Sequence, residues 1–186
     1  MEAPSLLRAR RPFLAPLWLG AIAAVVATAV LFGIARVSLG LFADTTTVIV
    51  LRHAERFADG EDPLLTPEGE ARAQRLAQLL ASQQLAAIYV SDTARTQATA
   101  APLAAAAGLT PIVRPGRDVE SVLEDIGERF VGRTVVIVGH SNTVPKFVER
   151  LTRGEVTPTV ADDEFDAIYI VTVTRFGPPS VTSLRY

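Results

Sequence analysis

Two histidines and two arginines stand where they could share chemistry. The chain holds only two histidines, and each directly follows a run of apolar, largely β-branched residues: His53 after TVIVLR and His140 after TVVIVG. Arg52 immediately precedes the first. Arg95 opens a helical pattern behind a third apolar run, AAIYV, which ends in Ser91-Asp92. Burying such groups unpaired is expensive, so these runs either surface here or deliver their last side chains to a site. Two guanidiniums of fixed charge and two imidazoles, backed by helix N-termini, suit a phosphate dianion. An imidazole in that field can also attack phosphorus, because histidine is a competent nucleophile in covalent catalysis.

The elements that must position these groups alternate along the chain. Residues 46–51 have the continuous apolar pattern of a strand buried on both faces. LTPEGEARAQRLAQLLAS then reads as a helix. Thr66 caps it, Pro67 takes the first helical position, acids fill the first turn, and Leu76, Leu79 and Leu80 form the expected buried stripe. Residues 86–90 give a second strand, 92–107 a helix closed by Gly108, and 111–113 a short third strand. VESVLEDIGERF has helical spacing, 134–139 is another apolar strand, and a helix follows SNT. Residues 167–175 and 180–186 read as a terminal hairpin. This order predicts an α/β fold, a three-layer α/β/α arrangement around a mostly parallel mixed sheet. In such sheets ligands bind at the carboxyl ends of the strands, where both histidines and Arg52 fall.

"LRHAE", "SDTARTQAT" and "GHSN", in that order and each at a strand end, resemble the histidine phosphatase superfamily, also called the phosphoglycerate-mutase-like superfamily. The resemblance covers residues 46–174, and the compact domain is similar to the small bacterial phosphatases of that group. Ala54 departs mildly from the signature, which has glycine there. The resemblance implies that His53 is the nucleophile that becomes phosphohistidine. It implies that Arg52, Arg95 and His140 bind the phosphoryl oxygens, and that no metal or cofactor is needed. It also implies a carboxylic acid, between the Arg95 helix and His140, to protonate the leaving group. Glu120, on the first turn of its helix, is the choice, with Asp118 and Glu55 next. Glu55, Ser141 and Asn142 complete the substrate side; their simpler roles are ion pairing for Glu55 and helix capping for the other two. Surface ion pairs with Glu55 and Asp92 are the competing role for Arg52 and Arg95. The acidic run ADDEFD at 161–166 reads as a solvated loop, with the pocket edge as its second reading.

The expected activity is metal-independent hydrolysis of a phosphomonoester; a mutase-type isomerase and a non-catalytic phosphoryl-binding domain are the alternatives. From Thr45 onward 14 Lys+Arg stand against 18 Asp+Glu, a mildly acidic balance with no basic run, which disfavours nucleic acid as a partner. There are no cysteines, so an exported domain would rest on its core alone. Residues 12–35 carry no charge and follow Arg8, Arg10 and Arg11. That stretch is expected to be a transmembrane signal-anchor, with 1–11 a cytoplasmic tail, 36–45 a linker and 46–186 the catalytic domain outside the cytoplasm. A cleaved secretory signal is the rival. Such an address favours a small phosphomonoester or a sugar phosphate of the envelope as substrate.

Overall fold

The computed structural model describes residues 17–41 and 45–186, with side chains described from 19 to 35 and from 45 onward. It separates into two units, one ending at Phe42 and one beginning at Ala43. The first contains helix α1 (Leu17–Leu41). Its described side chains, 19–35, are all exposed and mostly apolar, and Thr28 turns its hydroxyl back to the Ala24 carbonyl at 2.9 Å. The helix runs past the expected boundary at 35 into the segment read as a linker. No proline interrupts 17–41, so nothing in the backbone chemistry forces an earlier stop. Among the described residues no helix is long and apolar enough to cross a membrane. Residues 1–16, which hold the expected tail and the start of the expected span, lie outside the described residues. The transmembrane reading of 12–35 is therefore not carried by the structure.

The second unit is the expected three-layer fold. Its strands are β1 (Thr45–Arg52), β2 (Leu85–Ser91), β3 (Ile112–Arg114), β4 (Thr134–Gly139), β5 (Ala167–Thr174) and β6 (Ser180–Arg185). They form one sheet in the order β3-β2-β4-β1-β5-β6. The first four are mutually parallel, and β5 and β6 add an antiparallel edge. Alternation along β1 shows why the sheet needs helices on both faces. Val48 and Val50 pack with Val122, Ile126, Phe147 and Val148 from α4 (Val119–Arg129) and α5 (Val144–Leu151). Ile49 and Leu51 pack with Leu76, Leu80, Ala100 and Leu103 from α2 (Pro67–Leu80) and α3 (Ala94–Ala107).

The helix ends follow from local chemistry. Thr66 Oγ1 accepts the Gly69 N–H at 3.2 Å, as its place before Pro67 predicts. Asp118 caps α4 in the same way. Gly108 closes α3 at φ 65°, a left-handed conformation that glycine adopts without strain. Gly69 has a different reason to be glycine: a Cβ there would collide with the Glu55 carbonyl. That close approach presses α2 against the loop behind β1.

One expected core residue is displaced. Leu76 and Leu80 are buried but Leu79 is 49% exposed, and Gly69, Ala73 and Ala77 complete the buried face instead. The buried positions 69, 73, 76, 77 and 80 share one helical face, and that phase leaves position 79 outside it. Leu76→Ala should therefore cost about 2–5 kcal/mol of folding stability, and Leu79→Ala no more than about 0.5 kcal/mol. Denaturant midpoints of the two variants check this.

Candidate active site

The site is built where three adjacent strands end. β4 lies between β1 and β2, and Arg52 sits in register with Gly139 across the β1–β4 pair. The carboxyl ends of β1, β4 and β2 thus bring Arg52-His53, His140 and Ser91 together, and α3 adds Arg95 from its first turn. Arg52, His53, Arg95 and His140 open on a cavity of about 580 Å³, with Ser91 behind His140.

His53 is 3% exposed. Its ring stands 5.4 Å from that of His140, edge to face. Its Nδ1 lies 2.8 Å from the Ala54 carbonyl, which can only accept, so Nδ1 carries the hydrogen and Nε2 keeps its lone pair. Burial, reinforced by the charges of Arg52 and Arg95, pushes the imidazole down to about 3. His53 is thus neutral near pH 7 and presents a nucleophilic nitrogen. Its backbone is clamped as well. The His53 N–H reaches the Gly139 carbonyl at 2.9 Å. The Ala54 N–H reaches Thr99 Oγ1 at 2.9 Å, and Thr99 in turn donates to the Arg95 carbonyl at 2.7 Å. Thr99 was not singled out from sequence; its place one turn after Arg95 is the only signal that marks it.

Arg52 is held from behind. Its Nη1 donates to the carbonyls of Ala161, Asp162 and Glu164 at 2.8, 2.9 and 3.0 Å, and the guanidinium stacks 4.2 Å over the Phe165 ring. The acidic run at 161–166 therefore touches the site through its backbone as much as through its charge, and Asp162 lines the cavity. Arg95 donates to Asp62 at 3.3 Å, and Asp62 also accepts the Ala94 N–H at 2.8 Å. Asp62 thereby takes the capping role at α3, where Thr93 makes no side-chain cap. Burial holds both guanidiniums below their usual range. The Nε of each is buried without a partner among the described residues.

His140 has burial and Arg95 to thank for a ring pushed down to about 4. Its Nδ1 lies 3.5 Å from Arg95 Nη2 and its Nε2 lies 2.9 Å from Ser91 Oγ. Arg95 can only donate, so with this neighbour Nε2 carries the hydrogen. Ser91 can accept or donate, and it passes to Thr96 Oγ1 at 2.8 Å. The hydroxyl therefore tolerates either tautomer of His140, including the one whose Nδ1 donates to an incoming anion. From sequence, the place of Ser91 just before the Arg95 helix suggests only a cap.

Ser141 and Asn142 line the cavity rather than capping α5, whose capping position is Thr143. Glu55 does not reach it. Burial alone would raise the Glu55 carboxyl; hydrogen bonds of 2.6–2.9 Å from Arg72 outweigh this and hold it low. Arg72 also binds the Tyr186 carbonyl at 2.7 Å, so Glu55 ties β1 to α2 and the chain end. The competing ion pairs for the arginines are also absent as drawn, since Glu55 goes to Arg72 and Arg95 goes to Asp62.

Glu120 is not brought to the site. It pairs with Arg150 of α5 at 2.9 Å, both side chains 64% exposed. The first turn of α4 points this position at α5, so the expected proton donor sits outside the pocket. Asp118 is occupied as the α4 cap. The carboxylates that do line the cavity are Asp92, whose Oδ1 accepts the Gly116 N–H at 3.2 Å, and Asp162. A Cβ at Gly116 would press on the site, standing 3.2 Å from His140 Nε2 and 3.3 Å from Ser91 Cβ. Among the described residues no cluster of side chains could hold a metal ion.

Residues 48–118 match the family model of the histidine phosphatase superfamily, branch 1. No curated protein matches the chain by sequence. Solved structures share the fold. The protein histidine phosphatase SixA, complexed with tungstate, superposes with a TM-score of 0.62 at 21% identity, over 75% of this chain and 96% of its own. A mycobacterial glucosyl-3-phosphoglycerate phosphatase gives 0.61 at 16% identity, over 76% and 98%. A phosphoserine phosphatase from Entamoeba histolytica, in complex with 3-phosphoglyceric acid, gives 0.56 at 20%, over 76% and 97%.

Two outcomes follow from the clamped histidines. Both titrate lower in the folded protein than in the unfolded chain, where a histidine titrates near 6.5. Below that value the unfolded chain binds protons that the native state does not. Stability is therefore fully present above about pH 6.5 and falls as pH drops toward 4. Denaturant midpoints between pH 7.5 and 4.5 should show this fall, and His140→Asn should flatten its slope. Thr99→Val leaves the Ala54 N–H buried and unpaired, costing about 1–3 kcal/mol. It should lower kcat more than it raises KM, and Thr99→Ser should restore kcat.

Proposed function

We propose that this chain is a member of the histidine phosphatase superfamily and a phosphoric monoester hydrolase that works through a phosphohistidine on His53. The observation that carries the reading is the fixed tautomer of His53: Nδ1–H bound to the Ala54 carbonyl, Nε2 free, and a ring kept neutral by burial and two cations. Nε2 attacks phosphorus, the ester oxygen departs, and the phosphoryl group rests on nitrogen until water takes it. Arg52 and Arg95 line the cavity and face the charge that spreads over the phosphoryl oxygens. His140 joins them by turning Nδ1 into a donor while Ser91 accommodates the other nitrogen.

The leaving alkoxide needs a proton. Asp92 and Asp162 line the cavity and are the carboxylates in position to give it, whereas Glu120 stands outside. An extracytoplasmic address, with residues 12–35 as a membrane anchor, remains part of this proposal. It is supported by the uncharged apolar stretch behind three arginines and by the exposed apolar face of α1 from 19 to 35. The phosphatase names of the structural neighbours are consistent with the reaction class, and an exported domain would meet envelope phosphomonoesters.

Rapid quench with a phosphorus-labelled aryl phosphate tests the mechanism. The expected result is an acid-labile, base-stable phosphoenzyme that forms as a burst and is missing in His53→Ala, whose turnover falls at least about 10³-fold. Near-normal turnover in His53→Ala would remove the nucleophile from His53.

A further inference from the structure

The acidic run at 161–166, ADDEFD, sets four carboxylates beside a cation that the reaction needs, and the sheet edge answers two of them. Resting on the phosphatase reading, we propose that Glu164 and Arg185 are positioning residues for phosphoryl transfer: together they fold 161–166 into the carbonyl cradle that holds Arg52 at the cavity.

Glu164 closes the loop on itself. Its backbone N–H donates to the Ala161 carbonyl at 3.1 Å, and its carboxylate accepts the Ala161 N–H at 3.3 Å. The turn so formed presents the carbonyls of Ala161, Asp162 and Glu164 to Arg52, whose Nη1 donates to all three at 2.8–3.0 Å. Three carbonyls within four residues meet one nitrogen only where the chain is folded back; an extended chain, rising about 3.3 Å per residue, would spread them apart. All three bonds fall on Nη1, so the cradle fixes the guanidinium without using its other terminal nitrogen. Phe165 follows directly and sets its ring 4.2 Å from the Arg52 guanidinium and 6.0 Å from the His53 ring. One turn thus shapes the surroundings of both residues.

Arg185 fastens the turn to the sheet. Antiparallel register sets Arg185 opposite Ala167, the first residue of β5, beside the loop that leads into that strand. Its guanidinium pairs with Glu164 at 3.1 Å and with Asp166 at 2.5 Å, and the next N–H, of Tyr186, donates to the Asp166 carbonyl at 3.1 Å. Charge divides the run in the same way. Asp162 and Asp163 act on Arg52 electrostatically, whereas Glu164 and Asp166 have a cation of their own. The loop thus lends Arg52 its dipoles without turning all four negative charges on the phosphoryl position, where they would repel an anion. The Arg185 side chain is 65% exposed, and an exposed ion pair adds little to folding stability. Its effect on the reaction therefore separates from any effect on stability.

Variants of the full chain test the role through turnover of nitrophenyl phosphate and competitive inhibition by inorganic phosphate. Glu164→Ala and Arg185→Ala should each lower kcat about tenfold and raise the phosphate inhibition constant by a similar factor, because a displaced guanidinium meets the phosphoryl oxygens poorly. Glu164→Gln keeps an oxygen for the Ala161 N–H, and Arg185→Lys keeps a cation, so each should recover kcat to within about threefold of wild type. The His53 phosphoenzyme should still form in these variants, and their denaturant midpoints should stay near that of the wild type. Arg129→Ala, which breaks an ion pair of similar exposure outside the cavity lining, should change neither kinetic constant. Two results overturn the positioning role and leave the hydrolase standing. One is a kcat and a phosphate inhibition constant within about twofold of wild type in both alanine variants. The other is a loss of rate that tracks the denaturant midpoint and is not recovered by Glu164→Gln or Arg185→Lys. Failure of the wild-type protein to turn over any ester, nitrophenyl phosphate included, overturns the phosphatase reading and the positioning role with it.

Discussion

The hydrogen bond from His53 Nδ1 to the carbonyl of its own neighbour, Ala54, is the contact on which the site depends. It selects one tautomer, aims one nitrogen into the cavity and leaves the other unable to compete. For that carbonyl to stay in place, the backbone leading into it must be fixed. Gly139 fixes it from β4 and Thr99 from α3, and Ala54 is fully buried against Leu65 and Ala73. Alanine at this position is accommodated by the packing. The sheet register, the pitch of α3 and the close approach of α2 at Gly69 are thus all constraints on one imidazole. Such preorganisation allows a side chain to act without rearranging when the reaction begins.

The arginines of the chain show two ways of holding a guanidinium. Arg72 is gripped by the Glu55 carboxylate, which fixes the side chain and cancels its charge. Arg52 is gripped by three backbone carbonyls, whose dipoles fix the side chain but leave its net charge in place. The first arrangement joins elements together; the second keeps a cation available for an anion. This difference explains why Glu55, though only two residues after His53, works on the structural side of β1.

The fold was legible because its signals are local. Apolar runs, the Thr66-Pro67 start and the Gly108 stop each state their element within a few residues. Arg52, His53 and His140 were legible for a related reason, since strand ends map directly onto the site. Glu120 failed because helical phase alone does not say which neighbour a first-turn side chain meets, and α5 supplied Arg150. Asp62, Asp92, Thr99 and the carbonyls at 161–164 depend on loop paths and on contacts between distant segments, which no periodicity encodes. Ser91 combined both cases: its position was visible, but its partnership with His140 exists only once β2 and β4 lie side by side.

The strand that ends in Arg52 is the first of the sheet to be made and waits longest for a neighbour. β1 is flanked by β4 and β5, which lie about 80 or more residues downstream. During synthesis both of its edges stay unpaired, with an apolar face on either side, until most of the domain has emerged. An open, apolar strand of this kind is a template for misassociation with another chain. The topology that centres His53 in the finished sheet thus also sets a kinetic hazard, one that any passage across a membrane before folding would prolong.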